Sequence, residues 1–172
     1  EGAEATDLYA DNIQYLTLLS AEKLKATIEA YTYPEEFEQC DGSATLSKGV
    51  KIGQQERKTF GLVYRTKIGD DVAGQDKGYK LHIVYGCKAS PSEKGYKTVN
   101  DSPEAISFSW DISTTAVNVA GFKPTSLLTI NSLEVDAGKL KTLEEKLFGK
   151  EGAGQNEPTL LLPDEIKAHF AG

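Results

Sequence analysis

From Tyr79 to Cys87 the side chains alternate without a break. Tyr79, Leu81, Ile83, Tyr85 and Cys87 are apolar or aromatic, and Lys80, His82, Val84 and Gly86 fall between them. A period of two over nine residues is the signature of a half-buried β-strand and fits no helix. Phe60, Leu62, Tyr64 and Ile68 repeat the pattern, with Arg65 and Lys67 opposite. Between the two runs lies the polar, glycine-rich stretch Gly69–Gly78, so the pair reads as a long-looped β-hairpin. Ile106, Phe108, Trp110 and Ile112 form a third run against Ser107, Ser109, Asp111 and Ser113. At Val117 and Val119 the apolar residues change parity, which places a bulge or bend at Thr114 or Thr115.

The remaining elements follow from weaker signals. Residues 25–33 read as a strand ended by Pro34, with a shorter strand at 13–19 before it. Pro34 to Cys40 reads as a helical turn, Gly121 to Pro124 as a turn, and 127–130 as a returning strand. Asp136 is a good helix N-cap. Leu140, Leu143, Leu147 and Phe148 then form one stripe, and Gly149 supplies the stop. Pro163 opens a short last helix, and 150–158 reads as an exposed linker. The expected fold is mainly β: an antiparallel β-sandwich or barrel with a flanking α-helix, in a single domain over residues 1–172.

Charge and cysteines narrow the function. The net charge is −7, and residues 1–40, with nine acidic and two basic side chains, carry all of it. That disfavours nucleic-acid binding through a basic surface. Two cysteines without a CxxC spacing make no disulfide framework and fit two ordinary thiols in a reducing compartment. No apolar run is long enough to span a membrane. The chain starts at Glu1, without a leader-like opening, and contains no methionine, so the expectation is a processed or trimmed product.

Catalytic motifs are missing. His82, His169, Cys40 and Cys87 are widely spread, and the two nearest, His82 and Cys87, fall on opposite strand faces, which argues against a metal site or a Cys–His pair. No phosphate-binding glycine loop or nucleophile elbow occurs. Asp70, Asp71 and Asp76 lack the alternate spacing of a calcium loop. No cofactor is expected. Three classes stay open on the residues alone: a self-assembling β protein, a β-sandwich binding or adhesin module, and an enzyme with an acidic site. Elimination favours the first.

Four runs also carry a resemblance: 29–37 (EAYTYPEEF), 52–71 (IGQQERKTFGLVYRTKIGDD), 78–113 (GYKLHIVYGCKASPSEKGYKTVNDSPEAISFSWDIS) and 121–132 (GFKPTSLLTINS), with LPDEIKAHF closing at 162–170. In this order they resemble the major tail proteins of long-tailed phages and prophages. The resemblance implies a tail tube subunit, not an enzyme, found in the virion tail and in the host cytoplasm during assembly. Its partners would be further copies of itself in stacked hexameric rings and other tail proteins. DNA would pass through the channel without specific binding, and no membrane would be involved. A related secretion-tube protein is the neighbouring reading. Such proteins usually carry residues ahead of the EATDLYADN segment, in line with a trimmed start. Within this picture the small, mildly acidic face of Ser107, Ser109 and Asp111 suits the channel wall better than the basic face of Arg65, Lys67, Lys80 and His82. The loop carrying Asp70, Asp71 and Asp76 is the candidate contact between rings.

Overall fold

The computed structural model describes residues 5–10, 13–19, 23–70, 74–91, 107–152 and 154–171; the side chains of 5–10, 13–19, 70, 75, 76 and 91 lie outside that description. The fold is mainly β, with antiparallel sheets and a few helices. In chain order the elements are β1 (Ala5–Ala10), β2 (Ile13–Leu19), β3 (Lys25–Ala30), a 3-10 turn (Glu35–Phe37), α1 (Glu38–Asp41), β4 (Ala44–Ser47), β5 (Val50–Ile52), β6 (Phe60–Asp70) and β7 (Gly74–Pro91). There follow β8 (Phe108–Thr114), β9 (Val117–Val119), β10 (Phe122–Thr125), β11 (Leu127–Asn131), α2 (Ala137–Phe148) and α3 (Pro163–Ala171). The chain forms two compact units, each made from two separate stretches: residues 1–60 with 87–115, and 61–86 with 116–172.

In the first unit β8 lies between the last residues of β7 and β3, antiparallel to both. Alternation along β8 turns Trp110 and Ile112 inward, where Cys40, Cys87 and Ala89 are also buried. The turn after Pro34 brings Phe37 over the indole. Tyr33, Phe37 and Phe108 all surround Trp110 with centroids 5.2–5.9 Å away, and Phe60 reaches Phe37 at 5.2 Å. Tyr33 and Phe37 meet the indole edge-to-face and Phe108 stacks on it, which adds to the burial of apolar area. The indole N–H donates to Asp41 Oδ1 at 2.7 Å, which gives the buried carboxylate a donor inside the core. Gly42, at φ 82, ends α1 in the left-handed conformation that glycine adopts without strain. Two hairpins, β1–β2 and β4–β5, complete the unit.

In the second unit β7 pairs with β6 and, antiparallel, with β11. Leu81, Ile83 and Tyr85 of β7 and Ile130 of β11 form a core with Leu140, Leu143 and Leu147 of α2 and Ile166 of α3. The Asp136 side chain caps α2 by accepting from the Lys139 N–H at 2.8 Å, and Gly149 ends it at φ 79. β9 and β10 form a small hairpin turning at Ala120 and Gly121.

Several expectations change. The inner side of β6 carries Gly61, Val63 and Arg65, not Tyr64. A Cβ on Gly61 would lie 2.3 Å from Leu160, and Val63 packs on the core. The Arg65 guanidinium sits 4.9 Å from the Tyr79 ring and 5.1 Å from that of Phe148, and its Nη2 lies 2.8 Å from Glu144 Oε1. A long cationic side chain can line an apolar edge with its stem while its head finds a carboxylate, so polarity alone assigned it to the wrong side. The hairpin connector is also shorter than Gly69–Gly78: strand runs to Asp70 and resumes at Gly74. Strand pairing uses main-chain groups and continues after apolar alternation has ended. The turn read at Gly121–Pro124 is mostly strand β10, and the strand read at 25–33 stops at Ala30. Phe148, on the α2 stripe by spacing, is 46% exposed.

Tyr85 carries a consequence for alkaline stability. It is wholly buried and donates its hydroxyl to the Leu161 carbonyl at 2.9 Å. Burial, with the charge of Glu165 adding to it, pushes the phenol from 10.0 up to about 12. Below pH 10 the phenol is neutral in folded and unfolded chains alike. Above it the unfolded chain ionises while the folded chain does not, so stability should fall by about 1.4 kcal/mol per pH unit until the folded phenol itself titrates. Denaturation midpoints taken on either side of pH 10 check this, and a flat profile would contradict it.

Candidate functional site

The residues proposed for the channel wall lie on β8. Ser107 is exposed just ahead of the strand, Ser109 is half-buried, and Asp111 and Ser113 are exposed. Register decides what shares their face. Asp111 lies opposite Thr27 on β3 and Ser90 on β7, Ser113 opposite Lys25 and Lys88, and Ser109 opposite Glu29. The Thr27 hydroxyl donates to Asp111 Oδ1 at 3.0 Å. Lys25, Thr27, Ser90, Asp111 and Ser113 border a shallow cavity of about 400 Å³. The face is therefore balanced, with Lys25 and Lys88 against Glu29 and Asp111, not mildly acidic as β8 alone suggested. It remains a surface of short hydroxyls between long side chains.

The rival basic face is not a single face. Arg65 lies on the core side of β6, whereas His82 is on the other side of the sheet with Tyr64 and Thr66. The His82 ring stacks on Tyr64 at 4.8 Å, with Thr66 Oγ1 2.8 Å from Nε2 and Thr129 Oγ1 3.0 Å from Nδ1. His82 is held as part of a sheet surface. Asp70 ends β6 and Asp76 lies within β7. Asp71, with the side chains of Asp70 and Asp76, falls outside the described residues.

Among the described residues no group of three His, Cys, Asp or Glu side chains could hold a metal ion, and no helix is long and apolar enough to cross a membrane. Cys40 and Cys87 are buried thiols. Burial pushes Cys40 up despite the opposing charge of Lys58, which makes it a poor nucleophile. His169 Nε2 lies 2.7 Å from the Lys139 carbonyl, so it ties α3 to α2.

Two exposed apolar features escaped the sequence reading. Leu46, Val50 and Ile52 stand exposed on the β4–β5 hairpin. A groove of about 680 Å³ lies between α3 and the β9–β11 strands, with Phe122 on its rim. Phe122 and Leu127 flanking a proline-containing stretch were the available signal for the groove. No family model, curated protein or solved structure matches the chain.

Proposed function

We propose that the chain is a structural virion protein, a subunit of a phage tail tube that assembles as stacked hexameric rings around a DNA channel. The ordered series of sequence runs carries this reading. The strand arrangement is compatible with it. β3 ends its sheet and, among the described residues, pairs with β8 alone, while its side chains are mostly exposed. Such an edge offers main-chain groups to a strand of a neighbouring copy, and ring closure removes the edge. Negative-stain microscopy of the full-length protein tests the reading. Rings and hollow tubes are the expected result, and a monomer at every concentration would overturn it.

The Ser109–Asp111 face is the proposed channel wall. Short hydroxyls offer sliding DNA little to grip, and the lysines on this face are offset by carboxylates. Asp111→Lys upsets that balance in every subunit, and each added cation recruits phosphate in a salt-dependent way. The variant should still form tubes but retain DNA at low salt and release it at high salt. Tubes with unaltered DNA passage would place Asp111 away from the channel.

A further inference from the structure

The groove of the second unit has an apolar floor and a basic rim. Leu128, Ile166 and Phe170 line it, and Phe122, 71% exposed, stands at its edge. The two charged side chains lining it are Lys123 and Lys167, and Lys167 Nζ lies 5.4 Å from the Phe122 ring centroid. The acidic groups of α3 are engaged elsewhere: Asp164 accepts from the Ala120 N–H at 3.1 Å, and Glu165 from the Leu162 N–H at 2.7 Å. Pro124 removes an N–H from β10, so the groove suits side chains better than an added strand. An occupant must bring apolar side chains and negative charge.

Residues 1–22 have that chemistry. They contain five acidic side chains, no basic one, and Leu8, Tyr9, Ile13, Tyr15, Leu16, Leu18 and Leu19. Within this stretch residues 5–10 and 13–19 pair antiparallel as β1 and β2. We propose that the Lys123–Lys167 groove of one copy receives the acidic β1–β2 hairpin of a second copy. The contact joins two different surfaces, so it propagates from copy to copy. It deepens the reading of the chain as a self-assembling subunit and rests on it.

Reciprocal charge reversal tests the contact by sedimentation at several salt concentrations. Lys123→Glu with Lys167→Glu, and separately Asp7→Lys with Asp11→Lys, should each weaken self-association by about tenfold or more. Mixing the two variants should restore it. Carbodiimide cross-linking of isotopically mixed wild-type copies should join Lys123 or Lys167 of one copy to an acidic residue of 1–22 in another, a readout that does not depend on variant folding. Association unchanged by both reversals would overturn the contact and leave the tube reading standing. Weakening by the lysine reversal without rescue on mixing would assign the groove to another acidic partner and overturn the hairpin. A wild-type chain that never associates would overturn both.

Discussion

Trp110→Ala should destabilise the chain by about 3–5 kcal/mol, the range for removing a buried large aromatic side chain. The indole is 2% exposed, is surrounded by Tyr33, Phe37 and Phe108, and supplies the donor that Asp41 Oδ1 accepts inside the core. Trp110→Phe separates the two contributions. It keeps most of the ring packing and loses the N–H, so its cost should be smaller, roughly 1–3 kcal/mol for a buried carboxylate that loses a donor. Urea denaturation followed by circular dichroism measures both variants. A phenylalanine variant as unstable as the alanine one would assign the effect to the hydrogen bond instead of the ring.

Leu143→Ala should cost roughly 2–5 kcal/mol, because Leu143 is wholly buried where α2 meets the sheet of the second unit. The chain has one tryptophan, and it lies in the first unit, so tryptophan fluorescence reports that unit while circular dichroism reports the whole molecule. β7 runs unbroken through both units, and the expected outcome is that both signals move to lower denaturant together. A fluorescence transition left in place while circular dichroism shifts would mean that the units unfold separately. No shift in either would remove Leu143 from the core.

The parts of the fold legible in the sequence are those whose side chains carry a strong local period. β7, β8 and α2 have full inward stripes, and α2 also carries its own start and stop in Asp136 and Gly149. β1, β4 and β5 leave no such signal in the sequence, and β4 and β5 are short strands with little or no buried face. β10 carries the sequence marks of a turn, because proline serves both in turns and in short exposed strands. The candidate channel face was half legible. Alternation along β8 correctly separated Trp110 and Ile112 from Asp111 and Ser113, yet the charge of that face depends on Lys25 and Lys88. Those residues join it only through pairings with distant strands, which no local window contains.

The division of each unit between two separate stretches of chain bears on how the protein is made. β3 leaves the ribosome long before its partner β8; the Thr27–Asp111 bond alone spans 84 residues. At roughly 5–20 residues per second, β3 waits on the order of 4–17 s for the strand that covers it. The second core waits longer, since Ile166 lies near the end of the sequence. The first unit has its whole sequence only once residue 115 is made, after the leading stretch 61–86 of the second, and the second still lacks 116–172 at that point. The nascent chain therefore carries open strand edges through most of translation, in a cell that is making many copies of the same edge.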